Sequence, residues 1–514
     1  MRRSAEDKIK TALMKEITMR KTNINLIPDS QNVTPDYYCT WQTQLYATND
    51  GKPKGQRAII GEKALFSKEK PFGWAYFYEQ VRKDLYIVMD DSWDVPPNGD
   101  LSYCGSLILN GDKFPSFVKD SSDNTEAMKK LSDKIKDLGW TGLGCWVCSK
   151  ESPRFKGDIS REEYWIERLV QANKAGIAYW KVDWGDWGAD AAFRKKLTEL
   201  GRQYAPDLII ENAIVPEVIP FSDTFRTYDV PAIMSIPMTM EKIKSVTSVP
   251  EPKNGNMCLL NCEDEAYISA AGGFAMGIMR HPYNGAFANG KADMSFPQIH
   301  RNLKTKIYEI IRAVRFHKLA PAYAFSGNEL KISKDYLCDS WRFENAEEEI
   351  EAWWFDNPAV FENLDDNVLK VKAPAVISRN TELPSVCRDD KGEAPFVVAS
   401  RNPNGVYAVA TLGRTVNRSY YIPKCDVTID AEDSKTIGVF GEYKNLIIKT
   451  KFTAIKYILI QDLADASAYD VTDSVEIKDG EIIVCGDIIS KTGTFSQPEE
   501  DTSEPGVVIY LGAE

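Results

Sequence analysis

The sequence of 514 residues contains three histidines, fewer basic than acidic residues and no long apolar run. The 63 Lys and Arg against 75 Asp and Glu give a net charge of −12, whereas binding to bare nucleic acid requires clustered positive charge. No apolar segment approaches the ~18 residues that a membrane-spanning helix needs. A composition that is 43% hydrophobic and 27% charged indicates a globular chain. We therefore expect no nucleic-acid partner and no membrane partner.

The sequence also lacks a metal-binding pattern. The 10 cysteines are scattered, and Cys145 and Cys148 form a single CxxC without a second CxxC or a histidine pair to complete a zinc set. We expect reduced thiols packed as small apolar groups. The segment Met1–Arg20 is charged and lacks the apolar core of a signal peptide, which predicts a cytoplasmic location. A secreted protein whose signal had been removed would look the same, and the oligomeric state stays open.

Short apolar runs alternate with helical stretches from residue 37 to about residue 290. The period of three and four residues in Met128, Leu131 and Ile135 is typical of the helices. Such alternation predicts parallel strands joined by right-handed crossovers. The predicted strands are Tyr37–Trp41, Leu85–Asp90, Gly142–Val147, Ile177–Asp183, Leu208–Ala213, Thr224–Val230, Met257–Leu260 and an eighth near Met279–Tyr283. Eight strands fit a closed barrel. An open doubly wound sheet is the alternative, but it usually carries a glycine-rich nucleotide loop that is absent here.

After about residue 330 the helical periods give way to short β-rich segments separated by Asn, Asp, Gly and Pro. This pattern is typical of a β-sandwich. We therefore predict an α/β chain with an N-terminal lead-in helix (1–30), a (β/α)8 TIM barrel (31–328) and a C-terminal antiparallel β-sandwich (329–514).

Carboxylates and tryptophans recur at the carboxyl ends of the predicted strands, where barrel active sites lie. The residues concerned are Trp41, Asp90, Asp91, Trp93, Lys181, Asp183, Trp184, Glu211, Arg226, Asp229 and Asp264. Carboxylates accept hydrogen bonds from hydroxyls, aromatic faces stack on sugar C–H surfaces, and two acids can cleave a glycosidic bond. The pattern favours sugar chemistry, although acids at strand ends also cap helices.

Lys181 and Asp183 give the sharpest single indication. Alternation along a strand places both side chains on one face. A lysine beside an aspartate lowers the pKa of the carboxyl group and keeps it ionised, as a nucleophile requires. A buried structural ion pair is the alternative.

Taken in order, these motifs resemble the α-galactosidases of glycoside hydrolase family 27 and their clan relatives in family 36. Asp90-Asp91-Ser92-Trp93 resembles their DDxW signature, and Lys181-Val182-Asp183 resembles their nucleophile strand. The run from Phe225 to Val230 is similar to their WRxxxD strand, and Asn261-Cys262-Glu263-Asp264 stands where they carry NDPD. The likeness covers roughly residues 37–325.

The resemblance implies a retaining exo-acting hydrolase of terminal α-galactosyl residues, without metal or organic cofactor. Asp183 would be the nucleophile and Asp229 the general acid. The remaining residues would bind substrate: Trp41, Asp90, Asp91, Trp146, Lys181, Glu211, Arg226 and Asp264. Glu211 and Arg226 would contact the 2-substituent of the sugar.

The sequence departs from the family at some positions. Two residues instead of three separate Arg226 from Asp229, so Asp223 is an alternative general acid. Trp146 stands where a Tyr is usual. Related specificities, a β-L-arabinopyranosidase or an α-N-acetylgalactosaminidase, remain open. So does a non-catalytic carbohydrate-binding barrel.

Overall fold

The computed structural model describes residues 19–48, 53–69, 73–226, 234–249, 251–252, 258–263, 265–280, 306–342, 364–365, 368–478 and 480–513. Within these ranges, no helix is both long and apolar enough to span a bilayer. The first strand, β1 (Arg20–Lys21), pairs with a strand near the other end of the chain. Residues 19–30 contain this strand and no helix, so the lead-in helix expected for 1–30 is not found in its described part.

Eight parallel strands close into a barrel, which confirms the predicted fold. They are β2 (Tyr37–Cys39), β3 (Tyr86–Met89), β4 (Gly142–Val147), β5 (Tyr179–Val182), β6 (Ile209–Asn212), β7 (Thr224–Arg226), β8 (Cys258–Glu263) and β9 (Ala275–Ile278). The barrel closes where Tyr37 pairs with Gly277.

The eighth strand lies a few residues earlier than the sequence predicts. The reason is Gly273, whose φ of +67° ends the preceding helix in the left-handed region that glycine tolerates. The strand starts two residues later, and its four residues are fully buried.

The helices pack mainly outside the barrel. They are α1 (Trp41–Thr48), α2 (Pro53–Ile59), α3 (Glu62–Phe66), α4 (Pro115–Lys119), α5 (Asn124–Asp137), α6 (Arg161–Ala175), α7 (Ala191–Tyr204), α8 (Ser235–Ser245), α9 (Ala266–Gly272), α10 (Ile307–Phe316) and, in the C-terminal region, α11 (Gly486–Gly493). Short 3-10 turns cover Trp74–Tyr76, Arg82–Asp84, Leu101–Tyr103, Pro216–Phe221, Gly327–Glu329 and Thr472–Ser474.

Local sequence signals explain where the barrel helices begin and end. Helix α6 opens with a capping box in which Ser160 accepts from the backbone of Glu163, and it ends at Gly176 with φ +66°. The Asp123 side chain caps α5 in the same way. The spacing of Met128 and Ile135 predicted the buried face of α5, and both side chains are buried.

The C-terminal region is built of sheets, as predicted. Its strands are β10 (Leu330–Ile332), β11 (Tyr336–Arg342), β12 (Leu364–Asp365), β13 (Val368–Pro374), β14 (Val376–Arg379), β15 (Ser385–Val386), β16 (Phe396–Arg401), β17 (Tyr407–Leu412), β18 (Arg414–Val416), β19 (Ser419–Tyr421), β20 (Asp426–Glu432), β21 (Thr436–Phe440), β22 (Asn445–Thr450), β23 (Ile455–Asp462), β24 (Tyr469–Asp470), β25 (Glu476–Lys478), β26 (Glu481–Cys485) and β27 (Gly506–Ala513).

The largest sheet has the order β1-β24-β23-β27-β21-β17-β16-β14-β10, and a five-stranded sheet has the order β15-β20-β22-β26-β25. Pairing is mostly antiparallel, but β14–β16, β17–β21 and β20–β22 are parallel. β1 precedes the barrel in the sequence but belongs to the largest sheet. The sheets outside the barrel therefore contain residues that precede the barrel as well as residues that follow it. The boundaries at 30 and 328 stay a prediction.

A buried ion pair and a buried hydrogen bond fix the sheets against the barrel. Arg312 of α10 donates to Asp462 at 2.8 Å, and both side chains are almost completely buried. Arg379 of β14 donates to the carbonyl of Gly273 at 3.0 Å, directly before β9. These contacts hold the last barrel elements in place, and with them the ring of strand ends.

Candidate active site

The candidate site lies at the carboxyl ends of the barrel strands. Asp90 directly follows β3 and Asp183 directly follows β5, while Arg226 is the last residue of β7. Trp146 of β4 and Glu211 of β6 are in register with Lys181 of β5. Parallel strands end at one rim of a barrel, and this topology brings the side chains together.

Asp183 is held by one donor on each carboxylate oxygen. Trp146 Nε1 donates to Oδ2 at 2.9 Å, and Arg226 Nη2 donates to Oδ1 at 2.9 Å. Burial opposes ionisation, but the charges of Arg226 and Lys181 and these two hydrogen bonds outweigh it and lower the pKa of Asp183 to about 2. Its side chain keeps 14% of its surface exposed. Asp183 is therefore an ionised carboxylate that reaches solvent at neutral pH.

Arg226 bridges Asp183 and a deeper carboxylate, Glu211. Its Nε lies 3.1 Å from Glu211 Oε1, while Tyr179 donates its hydroxyl to Glu211 Oε2 at 2.7 Å. Burial raises the pKa of Glu211, against the charges of Arg226 and Lys181. Glu211 is fully buried, so it lies behind Arg226 and not at the surface of the mouth. The expected contact of Glu211 with the 2-substituent of a sugar stays a prediction.

The direct partner of Lys181 is Asp90. Lys181 Nζ lies 2.7 Å from Asp90 Oδ2, and the Cys39 thiol donates to the same oxygen at 3.0 Å. As expected, the charge of Lys181 lowers the pKa of Asp183. The 2.7 Å hydrogen bond from Lys181 Nζ to Asp90 Oδ2 was not expected.

Asp91 pairs with an arginine that sequence reasoning missed. Arg57 of α2 donates Nε to Asp91 Oδ2 at 2.8 Å, and Ser92 donates its hydroxyl to Oδ1 at 2.8 Å. Burial raises the pKa of Asp91, while Arg57 and Ser92 lower it. The Arg57 guanidinium lies 5.5 Å from the ring centroid of Trp184. Arg57 stands outside the strand ends and in no motif, so no sequence signal singled it out.

Trp184 and Trp146 link the Arg57–Asp91 pair to Asp183 through ring contacts. The Trp184 ring lies 5.4 Å from that of Trp146, whose Nε1 bonds to Asp183. Trp93, in contrast, is fully buried and donates its Nε1 to the Trp146 carbonyl at 2.9 Å. Trp93 is thus a core residue beneath the mouth, and Trp184 is partly exposed beside Asp183.

The loops that carry these side chains are tightly held. Lys113 Nζ donates to the carbonyls of Ser92 at 2.6 Å and of Arg57 at 2.8 Å, which ties α2 to the turn after β3. After β5, Gly185 has a φ of +149°, and a Cβ there would lie 2.6 Å from the backbone carbon of Ser149. The loop that follows Asp183 therefore requires glycine at this position.

Two of the other predicted site residues lie outside the described residues, and the alternative acid lies at the opposite end of the strands. The two outside are Asp229 and Asp264. Trp41 is the first residue of α1, partly exposed, and packs against a buried cluster that includes Tyr37. The alternative acid Asp223 precedes β7, where it accepts from the backbone N of Ile210 at 2.9 Å. Asp223 thus lies at the amino-terminal end of the strands, away from Asp183.

Across the described part of the chain, no group of three or more His, Cys, Asp or Glu side chains is arranged to hold a metal ion. Cys145 and Cys148 are both buried as free thiols. Cys145 lies within β4, and burial raises the pKa of its thiol well above the ordinary value.

No family model and no curated protein matches the chain. Its fold is similar to those of solved glycoside hydrolases. A GH27 β-L-arabinopyranosidase from Geobacillus stearothermophilus is 9% identical with a TM-score of 0.39, over 94% of this chain and 97% of that one. A GH36 α-galactosidase from the same organism is 10% identical with a TM-score of 0.39, over 94% and 56%. An α-amylase from Geobacillus thermoleovorans is 8% identical with a TM-score of 0.42, over 94% and 99%.

Proposed function

We propose that this protein is a retaining glycoside hydrolase that removes terminal α-galactosyl residues, with Asp183 as the nucleophile. The observation that carries the proposal is the state of Asp183 at the barrel mouth. It is ionised, held by Trp146 and Arg226 at 2.9 Å each, and still exposed over 14% of its side chain. A nucleophilic carboxylate needs this combination, because it must stay charged, keep a fixed direction and reach the anomeric carbon.

In the proposed mechanism, Asp183 attacks the anomeric carbon and forms a covalent glycosyl-enzyme. A second acid protonates the leaving oxygen and then activates the water that releases the sugar. We assign this role to Asp229, which follows β7 in sequence. The competing Asp223 is bonded to the backbone at the far end of the same strand, and its place there supports the choice of Asp229. A retaining enzyme would hold the two carboxyl groups ~5–5.5 Å apart.

The paired groups around Asp183 are suited to binding hydroxyls. We propose that Asp90, Asp91, Lys181 and Arg226 bind and orient the sugar in the mouth. Lys181 Nζ and Asp90 Oδ2 already form an ion pair at 2.7 Å. A sugar hydroxyl would therefore form its hydrogen bonds with an existing charged pair. Glu211 would position Arg226 from behind.

Trp41 and Trp146 would form apolar walls of the proposed sugar pocket, and Asp264, which follows β8 in sequence, would also bind the sugar. Aromatic walls suit the C–H faces of a pyranose.

The test is hydrolysis of p-nitrophenyl α-D-galactopyranoside by the wild type, Asp183→Gly and Asp183→Asn. We expect both variants to lose more than about 1,000-fold in kcat, because the covalent route is closed. Azide should partly restore Asp183→Gly, with β-galactosyl azide as the product, because azide then attacks from the side of the missing carboxylate. Proton NMR of the wild-type reaction should show α-galactose released first.

Asp186→Asn is the matched control, since Asp186 is an exposed aspartate in the same loop. It should retain wild-type activity. Equal rates for the wild type and Asp183→Asn would refute the proposal, and so would release of the β-anomer. Nitrophenyl β-L-arabinopyranoside and α-N-acetylgalactosaminide, tested alongside, determine which sugar the mouth prefers.

A further inference from the structure

The Arg57 guanidinium makes only some of the hydrogen bonds that it could make among the described residues. Its Nε is committed to Asp91 at 2.8 Å. Its two terminal nitrogens donate to no atom of the described residues, and the guanidinium lies beside Trp184 at 5.5 Å. An arginine presents five N–H donors in a rigid fork that matches a carboxylate or a sulfate. Within the part of the chain that the structure describes, the terminal nitrogens of Arg57 are therefore unused donors at the mouth.

The side chain of Arg57 is more exposed to solvent than the other charged side chains of the site. The side chains of Asp90 and Lys181 are 4% and 2% exposed, and that of Arg226 is 1% exposed. Asp91, at 3%, is covered, whereas its partner Arg57 is 26% exposed. Among the described side chains of the site, the charges that reach solvent are thus the anion of Asp183 and the cation of Arg57.

Asp183 follows one barrel strand, while Arg57, on helix α2, is bonded to a residue that follows another. Arg57 is anchored on Asp91 after β3, and Asp183 follows β5, with β4 between them. The Arg57 guanidinium lies 5.5 Å from the ring of Trp184, the residue after Asp183. Adjacent strands lie ~4.8 Å apart, so the ends of β3 and β5, which carry Asp91 and Asp183, are separated by roughly 10 Å. A pyranose ring with one exocyclic group, and a hydrogen bond at each end, bridges such a gap. A ring whose anomeric carbon meets Asp183 can therefore direct its C6 substituent to Arg57.

We propose that the preferred substrate is an acidic glycoside, whose sugar in the mouth carries an anionic group at C6 that the Arg57 guanidinium binds. This inference rests on the proposed function and narrows its substrate class. The anionic group is either a carboxylate, as in a galacturonide, or a sulfate ester, as in a 6-sulfated galactoside. A neutral hydroxymethyl group accepts one weaker hydrogen bond, whereas an oxyanion takes two charge-assisted bonds from the fork.

The experiment compares kcat/KM for three nitrophenyl α-glycosides: the galactoside, the galacturonide and the 6-sulfated galactoside. We expect one anionic substrate to exceed the neutral one by about ten- to a hundredfold, the range of a charge-assisted pair. The anionic substrate with the higher kcat/KM shows whether the site prefers a carboxylate or a sulfate. Arg57→Gln should remove the preference, and Arg57→Lys should restore part of it, because the charge returns without the fork.

Arg154→Gln is the matched control. Arg154 also pairs with an aspartate, Asp100 at 2.9 Å, and lies over an aromatic ring, Tyr103 at 4.5 Å, but it belongs to the loop after β4. Its variant should keep the wild-type preference. A neutral galactoside that equals or exceeds both anionic substrates would overturn the inference. An equal fall for all three substrates in Arg57→Gln would overturn it as well.

Calorimetry with free galacturonate, galactose 6-sulfate and galactose separates this inference from the proposed function. Binding of an acidic sugar that disappears in Arg57→Gln supports the anionic site even if no glycoside is hydrolysed, and the proposed function then fails alone. Hydrolysis of the neutral galactoside without any binding of the acidic sugars leaves the proposed function standing and overturns the role of Arg57.

Discussion

Replacement of Arg226 by methionine tests the electrostatics of the site directly. The side chain is 1% exposed and contacts two carboxylates, Asp183 at 2.9 Å and Glu211 at 3.1 Å. Methionine keeps much of the volume but removes the charge, and loss of one partner of a buried ion pair costs about 3–5 kcal/mol. We expect the lower end of this range at neutral pH. The pKa of Glu211 is already raised by burial, so this residue can take up a proton in the variant.

The loss should depend on pH in a defined direction. The pKa of Asp183 falls from its ordinary value of 3.8 to about 2. At 1.36 kcal/mol for each pKa unit, this difference stabilises the folded state by about 2 kcal/mol. Because the folded-state pKa is the lower one, the contribution is complete above about pH 4 and is lost as the pH falls towards 2. Without Arg226, burial is opposed by less positive charge, and the pKa of Asp183 rises.

The measurement is urea unfolding of the wild type and Arg226→Met between pH 7 and pH 3. The difference in the free energy of unfolding should be largest at pH 7 and shrink as the pH falls through the raised pKa of Asp183 in the variant towards 2. The acid limb of kcat/KM should also move to higher pH in the variant, since the nucleophile must be ionised. Arg202→Met is the control, because Arg202 pairs with Asp223 at 3.1 Å away from the mouth. A pH-independent difference, together with an unmoved acid limb, would refute this account of Asp183.

Two further predictions concern the groups around the nucleophile. Asp90→Asn and Lys181→Met should each lower the free energy of unfolding by about 3–5 kcal/mol, because the two side chains form one buried pair at 2.7 Å. The double variant should lower it by clearly less than the sum of the two. Additive losses in a urea double-mutant cycle would contradict the pairing. Gly185→Ala should cost about 1–3 kcal/mol in thermal unfolding, because its Cβ would meet the Ser149 backbone at 2.6 Å. Gly157→Ala, where the φ is +59° but the space is open, should cost less, and equal losses would show that the close contact is unimportant.

Much of the barrel could be predicted because its signal is local and repeated. Buried parallel strands are short apolar runs between amphipathic helices, and the run Gly142–Val147 coincides with β4 at both ends. The eighth strand was misplaced because the apolar stretch around it continues through Met279, which is buried too. Its start depends on the conformation of Gly273, and an apolar pattern does not encode that.

The same difference between local patterns and contacts distant in sequence applies to the candidate site. Asp90 and Asp183 could be predicted because a barrel places strand ends together, and the structure does bring them to one rim. The pairing of Lys181 with Asp90 could not, since side-chain geometry across two intervening strand gaps decides it. Arg57 could not either, because it comes from a helix that ordinary sequence patterns do not connect to Asp91. The roles of Asp229 and Asp264 stay predictions.

The pairing of β1 with β24 has a consequence for biosynthesis. Arg20 faces Asp470 in this ladder. All eight barrel strands are therefore synthesised after β1 and before its partner β24. Barrel closure needs contacts over shorter chain separations and can precede this late pairing. Until Tyr469 and Asp470 emerge, the segment around Arg20 has no ladder to join, and the edge of the largest sheet is completed after translation of the barrel has ended. A nascent chain stalled before residue 469 should therefore expose this segment to protease while the barrel resists.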